Sequence, residues 1–256
     1  MDWIRPLTGS VAWTLVLISA IAGVAMLWVF GRLSSQKSIR AVKNRLKAHM
    51  LELRLFVDEP AIIWQAQKSL LAANGRYMAL MLRPFLILAV PMALMVTALD
   101  PYFGIAPLPV GRSAIVTVQL SDSSGPAPVL EVPDGITLET PAVRIPGTGQ
   151  VSWRIRPARS TSGMLRVGVG GATVEKNIEA GDGPRYTPPR RVASMLEWVA
   201  NPGESLLPAG PVQWIGVGYP GAEIEWLGLQ THWLVWFVVV SMVAALVFKS
   251  RMGVSF

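Results

Sequence analysis

Residues 11–30 read VAWTLVLISAIAGVAMLWVF, twenty residues without a charged side chain. A helix needs roughly 20 consecutive apolar residues to cross a bilayer, so this stretch predicts a transmembrane helix, assigned to residues 11–31. The ten residues before it contain one Asp and one Arg, and the apolar run continues well past residues 20–22, which faintly resemble a cleavage site. A membrane anchor is therefore favoured over a cleaved signal peptide, which would have a basic start and a shorter apolar run.

Two further apolar stretches follow along the chain. Residues 78–99 predict a second transmembrane helix, in which Pro84 and Pro91 are expected to introduce kinks, and residues 230–248 predict a third and shorter one. The composition agrees, because 15% of the residues are charged, against about 25% in an average soluble domain. The chain has no Cys and two His, which excludes thiolate metal sites and cysteine nucleophiles, and no metal site or cofactor is predicted.

The basic residues predict the orientation of the chain in the membrane. Residues 32–77 contain nine Lys and Arg against three Asp and Glu, and Lys249 and Arg251 follow the third apolar stretch. Loops rich in Lys and Arg stay in the cytoplasm, so we predict an outside N-terminus, a cytoplasmic C-terminus and an external segment at 100–231. The external segment contains no Cys and no Asn-x-Ser/Thr sequon, which is compatible with a bacterial inner membrane.

The cytoplasmic segment 32–77 predicts an antiparallel coiled-coil hairpin. Two heptad series within 34–57 predict its first helix: Ile39, Leu46 and Leu53, and Val42, His49 and Phe56. Asp58 and Pro60 suit the start of a second helix at 61–73. A basic arm follows the first span and consists of Lys37, Arg40, Lys43, Arg45 and Lys47. Two interpretations stay open: a solvated linker that enforces topology, or an arm that contacts a ribosome, a nascent chain or anionic lipid.

The external segment predicts an Ig-like β-sandwich at residues 112–182. Between Ser113 and Glu179, about seven short runs alternate apolar and polar residues and are separated by Gly, Pro and Ser turns. Trp153 and the aliphatic residues are expected to form the core. The segment contains no His and its acidic residues are scattered, so packing or partner binding is favoured over catalysis. Residues 183–229 predict a linker and an interfacial segment, with a short amphipathic helix at 192–200 on the outer leaflet.

The layout resembles the YidC-type membrane-insertase superfamily, in particular the small three-span branch that includes the coiled-coil insertase subunit of the ER membrane protein complex. The resemblance covers residues 8–112 and 230–251. It rests on the topology, on the Met-rich MALMLRPF at 78–85, and on the TALDPYFG and IAPLPVG stretches at 97–111. The chain departs from the family in its long β insertion and in the lack of an arginine within the first span.

The resemblance implies a membrane-protein insertase or chaperone that receives client transmembrane segments in a groove open to the cytoplasm, and not an enzyme. The residues expected to line this groove are Arg83, Met78, Met81, Met92 and Met95. The plainer interpretations are that Arg83 snorkels to lipid phosphates and that the Met side chains pack within the membrane. The alternative function is a non-catalytic subunit whose β domain binds an external protein. Membrane lipids, client proteins or a ribosome are the expected partners, and no specific nucleic-acid recognition is predicted.

Overall fold

In the computed structural model, the described residues are 5–7, 10–34, 38, 41–44, 47–48, 51, 60–123 and 125–254. The helices with defined bounds are α1 (Ser10–Leu33), α2 (Pro60–Phe103), α3 (Met195–Ala200) and α4 (Trp233–Phe248). The strands are β1 (Arg5–Leu7), β2 (Ala114–Leu120), β3 (Val129–Glu131), β4 (Ile136–Leu138), β5 (Val143–Ile145), β6 (Gln150–Pro157), β7 (Thr161–Val169), β8 (Ala172–Ala180), β9 (Arg190–Val192), β10 (Val212–Val217), β11 (Ala222–Trp226) and β12 (Leu229–His232). The chain divides into two units, one of Met1–Leu15 with Leu94–Trp236, the other of Val16–Ala93 with Phe237–Phe256.

Helices α1 and α2 contain stretches that are long and apolar enough to cross a membrane. These stretches are Val11–Leu33 and Gln67–Phe103, and their most apolar 18-residue windows have mean hydropathies of 2.2 and 2.1. The first two predicted spans are confirmed to this extent, by length and composition. Helix α4 is also apolar, but its 16 residues extend about 24 Å at 1.5 Å per residue, which is less than the roughly 30 Å of a hydrocarbon core.

The predicted start of the third span at residue 230 is wrong. Residues Leu229–His232 form strand β12, which pairs antiparallel with β11, and α4 begins at Trp233. The polar residues at 230–232 therefore satisfy their backbone groups in a sheet, and the apolar helix starts only after them.

The returning arm of the predicted hairpin and the second predicted span form one helix. Helix α2 has 44 residues and begins at Pro60, where the fixed φ of proline suits a first helical turn. The helix continues through Gly75 and through both Pro84 and Pro91. In the outgoing arm, residues 38, 41–44, 47–48 and 51 are helical. Most of that arm, including Asp58, lies outside the described residues, so the coiled coil stays a prediction.

The unit that includes Leu94–Trp236 contains three described sheets: the small sheet β1-β11-β12, and two further sheets that share one hydrophobic core. The larger sheet has the strand order β4-β6-β2-β10-β9, with β5 also paired to β6, and the smaller sheet has the order β3-β7-β8. Alternate residues of both sheets are buried in the common core, among them Val116, Trp153 and Ile215 from the larger sheet and Leu165 and Ile178 from the smaller one. Strands β2 to β8 match the seven runs expected from the sequence, and Trp153 is a core residue as predicted.

The predicted linker at 183–229 is not a linker, and the β domain does not end at residue 182. Strand β10 lies inside the larger sheet, between β2 and β9, and it buries Val212, Ile215 and Val217. The pairing of β10 with β2 shifts register between Val212 and Trp214. This irregularity breaks the two-residue alternation by which a strand is recognised in a sequence. The short helix predicted at 192–200 is present as α3, but it begins only at Met195, because Val192 is the last residue of β9.

Helices α1 and α4 approach each other closely at Gly23. A Cβ atom on Gly23 would overlap the carbonyl oxygen of Ser241, and Ser19, one turn earlier on α1, is fully buried. Small residues four apart allow helix backbones to pack directly against each other in a membrane. This contact fixes the position of α4 within the unit formed by Val16–Ala93 and Phe237–Phe256.

Replacing Gly23→Ala is expected to lower the melting temperature of the purified protein, because the added methyl group must push the two helices apart at a typical overpacking cost of about 1–3 kcal/mol. Gly75→Ala is the matched control, since nothing lies within 4 Å of a Cβ atom built there. The control should keep or raise the melting temperature, because Ala favours a helix over Gly by up to ~1 kcal/mol. Equal effects of the two substitutions in thermal unfolding would contradict the close contact.

Candidate functional site

The predicted client groove falls on α2, and the apolar surface of this helix is largely uncovered by the described residues. In the most apolar 18-residue window of α2, 6% of the residues are buried, against 28% in the corresponding window of α1. Met78, Phe85 and Val90 are among its large exposed side chains. A helix that is apolar on all sides is stable only when lipid or another apolar surface covers it.

The four predicted Met residues lie together on one face of α2. With 100° of rotation per residue, Met78, Met81, Met92 and Met95 fall within an arc of about 100°. Met78 and Met92 are exposed, whereas Met81 and Met95 are half-buried. The helix therefore forms a Met face, defined by these four residues, with flexible and polarizable side chains that adapt to different apolar partners.

Arg83 is not on the Met face. It lies on α2 about 170° around the helix from the centre of that face, and its side chain is exposed. Because α2 is uninterrupted, it places Arg83 and the Met residues on different sides. It therefore does not support the prediction that they line the same groove. The spacing of five residues between Met78 and Arg83 already carries this information, so a helical-wheel calculation on the sequence would have separated them.

Part of the basic arm lies in the described residues. Lys43 and Lys47 are in helical segments, with Lys43 half-buried and Lys47 exposed, and the neighbouring Val42 is buried. Lys37, Arg40 and Arg45 lie outside the described residues. The contact of this arm with a ribosome, a client or lipid stays a prediction.

The end of α2 is held by contacts that the sequence did not reveal. Trp233 Nε1 donates a hydrogen bond of 3.0 Å to Asp100 Oδ1. A Cβ atom on Gly104 would overlap the Asp100 carboxylate, so this position accepts only glycine without rearrangement. The fully buried Thr187 donates its N–H to Pro101 O and its hydroxyl to Ile105 O, both at 3.0 Å. These bonds satisfy carbonyl groups at the helix end, which lack partners within the helix.

A cavity of about 290 Å³ lies beside this helix end. Its lining consists of Val11, Thr14, Tyr102, Phe103, Pro184, Arg185 and Tyr186. The rings of Tyr102 and Tyr186 are 4.4 Å apart, and burial raises the pKa of Tyr186 above its ordinary value. Arg185 is paired with Glu179 at 3.0 Å. The residues that the structure describes contain no group of three His, Cys, Asp or Glu that could hold a metal ion.

A buried ion pair joins the smaller sheet to the segment that follows it. Lys176 lies on the inward side of β8, is fully buried, and donates hydrogen bonds to Glu204 Oε1 and to Pro188 O, the latter at 2.8 Å. Glu204 Oε2 also accepts the Asn177 N–H at 3.1 Å. Burial lowers the pKa of Lys176, and the neighbouring Glu204 carboxylate opposes this shift. The pair fixes the segment that carries α3 against the edge of β8.

No family model matches the chain, and no curated protein or solved structure shows significant similarity to it. The fold itself therefore defines the class to which the protein is assigned. It is a protein with two helices long and apolar enough to cross a membrane and a substantial β domain. Its most unusual surface is the uncovered apolar α2.

Proposed function

We propose that the protein is an integral membrane protein that receives transmembrane segments of client proteins along the Met face of α2, as an insertase or chaperone without enzymatic activity. In this proposal α1, α2 and α4 are its three spans, the N-terminus and the Ig-like domain are outside, and the C-terminus is in the cytoplasm of a bacterial cell. The observation that carries the proposal is the long apolar surface of α2, where 6% of the residues in the most apolar window are buried among the described residues.

The short helix α4 supports a role in lowering the cost of insertion. A 16-residue helix spans about 24 Å, so the surrounding bilayer must thin or the helix ends must recruit polar anchors. The contact at Gly23 holds α4 directly against α1. A thinner bilayer beside these helices shortens the distance over which polar client residues are separated from water, which reduces the energy needed to move them.

The Met face and Arg83 have different roles in this mechanism. The Met side chains contact the varied apolar faces of clients, because an unbranched thioether fits many shapes. Arg83 lies on another side of α2, where its long side chain reaches lipid phosphates and sets the depth of the helix. The basic arm attracts clients and the membrane surface by charge, at about 1 kcal/mol per basic residue near anionic lipid.

A photocrosslinking experiment tests this proposal. A photoreactive residue at Met81 or Met92 is expected to crosslink a newly inserted single-span client, because both positions lie on the Met face. The matched control is the same residue at Val90, which is an exposed apolar position of α2 on the opposite side of the helix. Crosslinked products from proteoliposomes are identified by mass spectrometry, after single Cys residues at Ser38 and Ser123 have verified the orientation.

Client crosslinks at Met81 and Met92 that are several-fold stronger than at Val90 would support the proposal. Equal crosslinking of the client at all three positions would contradict a specific Met face. In native membranes, stable crosslinks from the same positions to one and the same resident protein would instead identify a non-catalytic subunit of a larger complex. The exposed Val143 and Ile145 on β5 favour that second function, because they provide an apolar surface for an external partner.

A further inference from the structure

The turn between β11 and β12 exposes apolar side chains in a conformation that disfavours them. Leu227 has a φ of 53° and Gly228 a φ of 75°, so this two-residue turn has the type I′ form that Asn-Gly usually occupies. A leucine with positive φ is uncommon. Leu227 is nevertheless 75% exposed, and Leu229, directly after the turn, is 62% exposed. The turn therefore presents two large apolar side chains, Leu227 and Leu229, that the described residues leave uncovered.

The hydrogen bond between Asp100 and Trp233 defines a common level at which α2 ends and α4 begins. Trp236 lies about 4.5 Å further along α4. Its Nε1 donates to Ile224 O at 3.3 Å, and its ring is 4.9 Å from that of Trp226. Trp226 also contacts Trp13 near the start of α1, at 6.0 Å. The β11–β12 turn therefore follows directly after a residue, Trp226, that packs beside the first turn of α4.

Helix α3 lies beside α2, about one helical turn from the level of Asp100. The hydroxyl of Thr97, which lies about 4.5 Å from Asp100 along α2, is 3.5 Å from the carbonyl oxygen of Val199 on α3. Met195, Leu196 and Val199 on this helix are exposed, Leu196 by 83%. The ion pair of Lys176 with Glu204 and the bond from Trp198 Nε1 to Glu204 O hold the segment in place. Two separate apolar elements of this unit thus lie about one helical turn inside the ends of α2 and α4.

We propose that the β11–β12 turn and the exposed face of α3 insert into the acyl chains of the outer leaflet, so that the β domain sits on lipid at two points. Lipid is the occupant because both elements flank apolar helices at the depth where the hydrocarbon begins, and Trp13, Trp226, Trp233 and Trp236 lie at that level as an interfacial aromatic belt does. The inference rests on the membrane placement of the helices and is independent of client binding.

The absence of Cys from the chain permits a depth measurement on the full-length protein. Single nitroxide labels are placed at Leu196 and Leu227, with Val129 and Val143, which are exposed positions on β3 and β5, as matched controls. The protein is reconstituted in nanodiscs of phosphatidylcholine and phosphatidylglycerol. Power-saturation electron paramagnetic resonance then compares collisions with oxygen, which concentrates in lipid, and with a water-soluble nickel chelate.

The ratio of oxygen to nickel accessibility is expected to be several-fold higher at Leu196 and Leu227 than at the two control positions. Labels at Met195 and Leu229 repeat the measurement for each element, so a single variant that misfolds does not decide the result. Nickel accessibility equal to that of the controls would overturn the proposal. Protection from both reagents would also overturn it, because a protein partner and not lipid would then cover the surface. Lipid-buried labels in a protein that fails to crosslink clients would leave this inference standing while rejecting the proposed function.

Discussion

A fragment of residues 105–220 is expected to fold as a soluble β domain, whereas a fragment of residues 110–182 is expected to remain unfolded. The shorter fragment lacks β10, which contributes the buried side chains Val212, Ile215 and Val217 to the core. Burying three such side chains stabilises a domain by roughly 5–9 kcal/mol, which is comparable to the whole stability of a typical domain, about 5–15 kcal/mol. Without β10, strand β2 also loses its partner on one side.

The two ends of the longer fragment are joined by a hydrogen bond, in which the Ala106 N–H donates to Pro220 O at 3.0 Å. Circular dichroism and thermal melting distinguish the two fragments. In the longer one, Trp153→Ala is expected to remove about 3–5 kcal/mol from the free energy of unfolding, whereas Val129→Ala at an exposed position should change it little. Cooperative melting of the 110–182 fragment would show that β10 is not part of the core.

Local patterns predicted those elements whose structure depends on neighbouring residues. The seven strands between Ser113 and Glu179 alternate regularly, and the apolar stretches that became α1 and α2 stand out by composition. Strand β10 was not predicted, because its irregular pairing near Trp214 interrupts the alternation of apolar and polar residues. Strand β9 was not predicted either, because it follows two prolines, which normally mark a linker. The start of α4 was misplaced because the pairing of β12 with β11 depends on residues outside the apolar run.

The candidate surfaces show the same distinction between features that follow from local spacing and features that depend on distant residues. The Met face of α2 follows from the spacing of its four residues, and so does its separation from Arg83. The contacts of Asp100 with Trp233 and of Lys176 with Glu204 join residues that are 133 and 28 positions apart. Such pairs are created by the fold, and no local pattern in the sequence indicates which distant side chain completes them.

Replacing Glu204→Ala is expected to destabilise the β domain by about 3–5 kcal/mol, because it leaves the Lys176 ammonium buried without its partner. The matched control is Glu175→Ala, which removes the partner of Arg166 in an exposed pair and should cost no more than about 1 kcal/mol. The double variant Lys176→Met with Glu204→Leu is expected to recover most of the loss, since a packed apolar pair replaces two buried charges. Chemical denaturation of the 105–220 fragment and of the full chain measures all three.

The pH dependence of unfolding provides an independent test of the same pair. Burial lowers the pKa of Lys176, so the unfolded chain holds this proton to higher pH than the folded domain does. Between the lowered pKa and the ordinary value near 10.5, the unfolded state binds more protons, and the contribution of Lys176 to stability must therefore rise with pH. Glu204→Ala removes the carboxylate that opposes the shift, so this rise should begin at a lower pH, and Lys176→Met should abolish it. Identical pH profiles for the parent protein and for Lys176→Met would contradict the lowered pKa of Lys176.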